Sequence, residues 1–284
     1  MHMNIKNICD MHTHSVFSDG TYTPEEIIDS ALKAGISAVA LTDHNNVDGL
    51  PRFIDAAKGK NISAIPGAEF SVDYDGTELH LLGLFLPQNA FDDIAQLMHN
   101  SIMRKEKSNI ELAATLTNAG FCINYDEIKA KTENGYVNRA HFAEAMVSAG
   151  YAKTMNEAFL KYLSKDAGFY KEPKRISVWE MLDTLKSIGA APVLAHPFLQ
   201  LTEQELREFL PKAKEFGLIG MECYYSLYDK ETTELSLSLV EKFGLCPGGG
   251  SDFHGAKKPD IELGFGKGNL KIPLEWAENI KNNI

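Results

Sequence analysis

The chain has 284 residues, of which 44% are hydrophobic, so it can bury one large core with or without an inserted second unit. Its 28 Lys and Arg residues are outnumbered by 39 Asp and Glu residues, and the net charge of −11 argues against a broad nucleic-acid-binding face. The longest apolar runs, such as HLLGLFL, are shorter than the roughly 20 residues that span a bilayer. We therefore expect a soluble, cytoplasmic protein that binds neither membranes nor duplex nucleic acid.

The cysteines lie far apart in the sequence and include no C-x-x-C pair: Cys9, Cys122, Cys223 and Cys246. Neither a disulfide framework nor a cysteine zinc site is indicated by this spacing. We expect all four to be small buried side chains in a reducing compartment.

The first clear element is a helix with signals at both ends, in TPEEIIDSALKAG. Thr23 is the predicted N-cap, Pro24 occupies the first helical position, Glu26 completes a capping box, and Gly35 ends the helix. The apolar run ISAVALTD that follows is short and rich in Ile and Val, which predicts a buried strand. Its polar end, TDHN, is expected at the carboxyl edge of a sheet.

The alternation of strand and helix continues along the chain. Strand patterns occur at NISAIPG, ELHLLGLFL, APVLAH, LIGMECYY and LCPGGGSD, and helical patterns at DGLPRFIDAAK, SVWEMLDTLKSIG, TEQELREFLPKAKEFG and KETTELSLSLVEKFG. This order predicts parallel βα units that close into a barrel or a strongly curved sheet. Residues 91–175 instead carry mainly helical patterns, which predicts a helical cap domain inserted into a barrel formed by residues 1–90 and 176–284.

Residues that can bind metal recur where the predicted strands end. His12 and His14 are one residue apart, so in a strand both imidazoles point to the same face. Further candidates at or near strand ends are His44, Glu69, His80, His196, Asp252 and His254, with Asp19 in a predicted turn. Parallel barrels build their active sites at this edge, and mixed imidazole and carboxylate ligands suit Mn, Fe or Zn. Six histidines and three carboxylates are too many for one ion and enough for two or three.

The segments DMHTHSVFSDG, LTDHN, PGAEFS, ELHLLG, LAHP and SDFH resemble, in order and composition, the metal-binding motifs of the PHP (polymerase and histidinol phosphatase) family. The resemblance covers residues 10 to about 255 and is greatest to stand-alone bacterial phosphoesterases. Some of these hydrolyse nucleoside 3',5'-bisphosphates or trim short RNA from the 5' end. The resemblance implies an α/β fold, a distorted parallel (β/α)7-type barrel with a helical insertion.

The resemblance also implies a trinuclear metal centre, with Mn preferred and Zn or Fe as alternatives. The implied ligands are His12, His14, Glu69 and Asp252 for the first ion, Glu69, His80 and His196 for the second, and Asp19, His44 and His254 for the third. Asp43, beside His44, is expected to be a hydrogen-bonding partner and not a ligand.

One segment of the predicted cap, GYVNRAHFAEAM, resembles the family segment that binds the substrate phosphate. By this resemblance Arg139 is a guanidinium clamp, and His141 is a hydrogen-bond donor or candidate acid. Arg104 could also approach the phosphate, although we favour a solvated helix face for it. Outside the cap, the run GGG at 248–250 lacks a dinucleotide or P-loop pattern, and we expect it to form a tight turn that brings Asp252 and His254 to the metals.

The sequence thus predicts a metal-dependent phosphoesterase that hydrolyses a small phosphomonoester by attack of a metal-bridging hydroxide. A nucleotide or nucleoside 3',5'-bisphosphate is the expected substrate, and short 5'-phosphorylated RNA is a variant of it. Three alternatives remain open: a histidinol-phosphate-type metabolite phosphatase, a metal-bound interaction module without turnover, and an amide hydrolase. No lysine lies in a motif typical of a carbamylated bridge, which weighs against the last.

Overall fold

The structure is a computed structural model that describes residues 6–132 and 137–284. Within these ranges the strands are β1 (Lys6–Asp10), β2 (Ile36–Leu41), β3 (Ser63–Tyr74), β4 (Thr77–Leu84), β5 (Ala191–Leu194), β6 (Gly220–Tyr225), β7 (Cys246–Gly250) and β8 (Ile272–Pro273). The helices are α1 (Pro24–Ala34), α2 (Leu50–Ala57), α3 (Phe91–Asn118), α4 (Tyr125–Ala130), α5 (Arg139–Ser148), α6 (Met155–Ala158), α7 (Val178–Ser187), α8 (Glu203–Glu215), α9 (Lys230–Phe243) and α10 (Leu274–Lys281). None of the helices in the described part of the chain is long and apolar enough to cross a membrane.

The strands form a single sheet in the order β7-β6-β5-β4-β3-β2-β1-β8, and the predicted α/β barrel is confirmed. The sheet is nearly closed because the chain beyond β1 pairs with the end of β7 and with the residues that follow it. Met11 donates its N–H to the carbonyl oxygen of Gly249 at 3.2 Å, and Asp252 donates to that of His12 at 2.9 Å. These bonds hold the segment after β1, which carries His12 and His14, against the segment that carries Asp252.

The expectation of a parallel barrel is wrong for β4, which runs antiparallel to both β3 and β5. The reason is the turn between β3 and β4. Asp75 and Gly76 have φ of 49° and 88°, and this pair of positive values is typical of the two-residue turn of a tight hairpin. Tyr74 therefore pairs with Thr77, and β4 returns alongside β3. The short β8 is also antiparallel, to β1.

The predicted signals of α1 are confirmed: Thr23 and Glu26 form a capping box, and Gly35 ends the helix in the left-handed conformation. The strands contribute small and aliphatic side chains to a buried core, including Cys9, Ala38, Leu82, Val193 and Ile272. Burial of this apolar surface is the main stabilising contribution to the barrel.

The prediction that all four cysteines are buried is only partly right. Cys9 and Cys223 are buried, Cys246 is half-buried, and Cys122 is exposed. The prediction for GGG at 248–250 is also wrong, since these residues belong to β7 and form no turn. None of the three has a positive φ, so the conformational freedom of glycine does not explain why glycine occupies these positions.

The chain divides into two compact units, Met1–Gln96 with Ile176–Ile284, and Leu97–Arg175. The first boundary lies within α3. The first unit contains the sheet. The second is helical and has its own apolar core, in which Leu116, Phe142, Met146 and Leu163 are fully buried.

Candidate metal centre

His12 and His14 lie just beyond β1, where the chain stays extended because His14 donates its N–H to the carbonyl oxygen of Phe253 at 2.9 Å. Both side chains are fully buried, and their Nε2 atoms are 3.1 Å apart. The convergence expected from their spacing is therefore present, although it comes from pairing with the segment after β7.

The remaining candidate ligands come from several strands and meet at one edge of the barrel. His44 follows β2, His196 follows β5, and Asp252 and His254 follow β7. His80 reaches the same edge from within β4, because the antiparallel direction of that strand places its first half there, opposite Ser71 of β3. The reversal of β4 is thus what positions His80.

Glu69, in β3, is the central residue of this cluster. Its Oε1 lies 2.7 Å from Nδ1 of His80 and 2.9 Å from Nε2 of His196. Its Oε2 lies 2.9 Å from Nδ1 of His44 and 3.3 Å from Nε2 of both His12 and His14. One buried carboxylate therefore faces two sets of imidazoles through its two oxygens.

Three overlapping groups of side chains have ligand atoms within 4.8 Å of one another, and each group could hold a metal ion. They are His12, His14 and Glu69; His44, Glu69 and His80; and His14, Asp19, His44 and His254. The groups share His14, His44 and Glu69, so they do not coincide with the three ligand sets implied by resemblance. Asp19 completes the third group from the solvent side, with Oδ1 3.1 Å from Nε2 of His254.

Asp252 presents its two carboxylate oxygens to different neighbours. Oδ1 lies 3.3 Å from Nε2 of His14 and 3.3 Å from Nδ1 of His254. Oδ2 accepts hydrogen bonds from the Tyr225 hydroxyl at 2.9 Å and from Nζ of Lys258 at 2.6 Å. The backbone of Asp252 has a φ of 56°, a strained value for a residue other than glycine, which is typical of functional sites.

Two buried carboxylates that were not predicted from the sequence, Glu222 and Asp10, also support the cluster. Glu222 in β6 contacts Nδ1 of His12 through Oε1 at 3.0 Å and accepts the N–H of His196 through Oε2 at 2.7 Å. Asp10 accepts hydrogen bonds from the N–H and hydroxyl of Ser251 at 2.8 and 2.5 Å, and from the N–H of His12 at 3.3 Å. A lone charged residue inside the apolar segment LIGMECYY was the available signal for Glu222.

Asp43 is also buried, and its carboxylate accepts hydrogen bonds from serines. Oδ1 accepts the N–H of Ser15 at 2.8 Å and the hydroxyl of Ser18 at 2.6 Å, and Oδ2 accepts the hydroxyl of Ser15 at 2.6 Å. Asp43 thus fixes the loop between His14 and Asp19.

Burial and charge set the protonation of the cluster. Burial alone would raise the pKa of Glu69, but His12 and His44 outweigh it and lower that pKa well below its usual range. Burial alone would lower the pKa of His12, but Glu69 and Glu222 raise it well above its usual range. Burial lowers the pKa of His14 to about 3. Glu69 is therefore an anion and His14 a neutral imidazole, and these are the forms that bind metals.

The donor set fits divalent metal ions. Nitrogen and carboxylate oxygen ligands in overlapping groups suit Mn, Fe or Zn. Oε2 of Glu69 and Nδ1 of His196 are buried atoms without a hydrogen-bond partner in the described ranges, and such atoms normally have one. Glu222 behind His12 completes a carboxylate–histidine pair of the kind that orients metal ligands.

The predicted substrate-binding residues lie in the helical unit. Arg139 begins α5, its guanidinium stacks over the ring of Tyr170 at 4.7 Å, and its Nη1 donates to the carbonyl oxygen of Leu163 at 3.3 Å. Nδ1 of His141 accepts the N–H of Asn138 at 3.1 Å, within a capping box. Arg104 is exposed on α3. The first two residues of the segment GYVNRAHFAEAM, at 135 and 136, lie outside the described residues.

The barrel and its cluster of imidazoles and carboxylates define a metal-dependent phosphoesterase, as comparison with known proteins supports. The chain belongs to the PHP domain family, which matches residues 10–175. It is 30% identical over 246 residues to a 5'-3' exoribonuclease of Haemophilus influenzae, covering 86% of this chain and 89% of that protein. It is 27% identical to a 3',5'-nucleoside bisphosphate phosphatase of Chromobacterium violaceum, covering 90% of each chain.

Solved structures show the same fold. An amidohydrolase of Chromobacterium violaceum, solved with bound sulfate and no metal, matches with a TM-score of 0.71 and 26% identity over 97% of this chain and 96% of that one. A protein of Bifidobacterium adolescentis, proposed to be a metal-dependent phosphoesterase, matches with a TM-score of 0.68 and 26% identity over the same shares of the two chains.

Proposed function

We propose that this chain hydrolyses the phosphomonoester of a nucleotide, with a nucleoside 3',5'-bisphosphate as the preferred substrate, at a centre of two or three divalent ions. The observation that carries the proposal is the position of Glu69. Its Oε1 faces His80 and His196 and its Oε2 faces His12, His14 and His44, so this carboxylate and the surrounding imidazoles would together hold the ions. Mn, Fe and Zn all suit this mixed ligand set, and of these we propose Mn.

The residues of the chain prepare this centre for a phosphate dianion. Glu222 holds the ring of His12, and Tyr225 holds the carboxylate of Asp252, so two ligands are fixed before substrate binds. Burial excludes bulk water from most of the cluster and strengthens its electrostatic interactions. Bound divalent ions would supply Lewis acidity to the phosphoryl oxygens and an activated water.

A nucleotide is favoured over a small metabolite for two reasons. The relative from Chromobacterium violaceum is named for nucleoside bisphosphates. In addition, the loops after β5 and β6 expose Leu199 and Leu227, which are 50% and 52% accessible. These loops contact each other, since Phe198 donates its N–H to the Tyr228 hydroxyl at 3.0 Å. They offer apolar surface at the metal edge for a nucleobase.

A second candidate function is stepwise removal of nucleotides from the 5' end of short RNA. It is favoured by the name of the Haemophilus influenzae relative, which is 30% identical to this chain. Both reactions cleave a phosphoester at the end of a short strand or of a nucleotide, so neither requires a broad basic surface. The net charge of −11, which argues against such a surface, is therefore compatible with both reactions.

Arg139 and His141 are proposed to bind the substrate phosphate, by their resemblance to the family segment. If they do, Arg139→Ala should raise KM for the phosphomonoester roughly tenfold or more, as expected for a lost charged hydrogen bond, without loss of bound metal. The exposed Arg104 serves as the comparison, since a solvated helix face predicts that Arg104→Ala has little effect.

Turnover by the Mn-loaded protein, measured as released inorganic phosphate and, for the RNA, as released nucleoside monophosphates, tests the proposed function. The substrates are adenosine 3',5'-bisphosphate, a short 5'-phosphorylated RNA and histidinol phosphate. Asp252→Asn should abolish release, whereas Asp260→Asn, at an exposed position nearby, should not. Preference for the bisphosphate supports the proposal, and preference for RNA supports the second candidate. Hydrolysis of histidinol phosphate alone, or of none of the three substrates despite full metal occupancy, would contradict the nucleotide assignment.

A further inference from the structure

Lys258 places a positive charge directly on a predicted metal ligand. It lies six residues after Asp252, beyond the short 3-10 turn Gly255–Lys257, and its Nζ is 2.6 Å from Oδ2 of Asp252. The side chain of Lys258 is 37% exposed, whereas that of Asp252 is 6% exposed. The ammonium group thus contacts the buried cluster from its solvent-exposed side.

The position of Lys258 differs from that of a lysine that only neutralises a buried carboxylate. Oδ1 of Asp252 faces the imidazoles of His14 and His254, and Oδ2 already accepts a hydrogen bond from the buried Tyr225 hydroxyl at 2.9 Å. Oδ2 would therefore keep a partner without Lys258. An ammonium group has three N–H donors, and the contact with Asp252 uses one of them.

The charge of the surroundings gives this cation a function. The chain carries a net charge of −11, and the cluster contains the anionic side chains of Glu69, Asp252 and Asp19. A phosphomonoester is a dianion near neutral pH, so a fixed cation beside the cluster favours its approach and binding. Lysine is a common phosphate-binding residue because its ammonium group acts as a compact point charge.

We infer that Lys258 is a phosphate-binding residue of this site: its contact with Asp252 holds the ammonium group at the edge of the metal centre, where its other N–H donors bind the phosphate of the substrate. The inference rests on the proposed function for the class of substrate. It assigns a substrate role to a residue of the barrel unit that lies outside the segments resembling the family motifs.

Binding of inorganic phosphate to the Mn-loaded protein tests this role without turnover. Lys258→Met should weaken phosphate binding, measured by calorimetry, roughly tenfold, as expected for one lost charged hydrogen bond. Metal content, measured on the same samples, should stay at the parent value. Lys258→Arg should retain most of the affinity. Lys257→Met is the matched control, since Lys257 is the preceding residue and exposed, and it should bind phosphate like the parent.

Two results would overturn the inference. One is an unchanged phosphate affinity in Lys258→Met. The other is a loss of phosphate binding that accompanies an equal loss of metal, because Lys258 would then only position Asp252. Failure of this inference can be distinguished from failure of the proposed function, because a protein that hydrolyses no nucleotide can still bind phosphate. The comparison of Lys258→Met with the parent depends on phosphate binding alone. In steady-state kinetics on a hydrolysed substrate, we expect KM to rise more than kcat falls.

Discussion

Glu222 lies directly behind His12, with Oε1 3.0 Å from Nδ1 of the imidazole, and both side chains are fully buried. The pair fixes which ring nitrogen of His12 faces the cluster, because a carboxylate on Nδ1 leaves Nε2 to act as the ligand. Nε2 is the atom that lies 3.3 Å from Oε2 of Glu69. A residue in the apolar strand β6 thus determines the orientation of a ligand carried by the segment after β1.

Glu222→Gln should weaken metal binding about 10- to 100-fold, the usual effect of changing such a partner. The amide keeps the shape of the side chain and can still accept the N–H of His196, but it lacks the negative charge next to His12. Equilibrium dialysis with Mn²⁺ measures the change. Glu241→Gln, on the exposed end of α9, is the control and should bind metal like the parent. Equal affinities for the two variants would show that Glu222 has no orienting role.

Metal removal should lower the thermal stability of the protein through Glu69. An ion held only by the folded state stabilises it by about 2.7 kcal/mol at a free concentration one hundred times its Kd. For a unit of this size, about 2–4 °C in Tm accompanies each kcal/mol. We expect a chelator to lower Tm by several degrees in the parent. In Glu69→Gln the chelator should have little effect, because the carboxylate shared by the imidazoles is lost. A chelator effect of the same size in both proteins, seen by scanning calorimetry, would contradict this role.

The sequence predicted strands β2 to β7, the capped α1 and the edge where the candidate ligands meet, because each depends on local patterns of apolar residues, caps and polar strand ends. It did not predict the direction of β4, which is determined by the two-residue turn at Asp75 and Gly76. The Asp-Gly pair between two strand patterns was a usable signal for a hairpin. The role of Glu222 could not be predicted with equal ease, since its partner is His12, 210 residues away.

Metal affinity should fall as the pH falls. Burial alone would lower the pKa values of His12 and His196, but in the metal-free fold Glu69, with Glu222, raises both. A raised pKa keeps a proton on the imidazole up to a higher pH, and that proton must leave before a metal binds. For each imidazole proton that the metal must displace, the apparent metal affinity should fall about tenfold for every pH unit below the raised pKa. His14 contributes nothing to this pH dependence of metal affinity, because its pKa is lowered to about 3.

Calorimetric titration with Mn²⁺ between about pH 8 and about pH 6 measures this dependence, within the range where histidine ordinarily titrates. Titrations in two buffers with different heats of ionisation count the protons released. Release of at least one proton and a monotonic loss of affinity toward low pH are expected. An affinity that is constant over the range would mean that the imidazoles are already deprotonated in the metal-free protein.

Gly250, the last residue of β7, packs directly against His12 and so provides a structural test of the cluster. A β-carbon at this position would overlap Cβ of His12 and lie 2.6 Å from its backbone nitrogen, closer than atoms that are not bonded can approach. The segment carrying His12 can therefore pack against β7 only if residue 250 has no side chain. Gly250→Ala should force the two segments apart, cost about 1–3 kcal/mol of stability and displace His12 from Glu69.

Gly248→Ala is the matched control in the same strand, since its β-carbon would lie 3.3 Å from a methyl group of Val193, a contact that a small side-chain shift relieves. Urea unfolding and Mn²⁺ binding should be measured on both variants. We expect Gly250→Ala to lose stability and metal affinity together and Gly248→Ala to lose much less of either. If Gly250→Ala bound metal as tightly as the parent, the close packing of β7 against His12 would not be required to form the centre. The requirement for glycine comes from backbone approach and not from a positive φ, so a turn prediction based on GGG alone could not identify it.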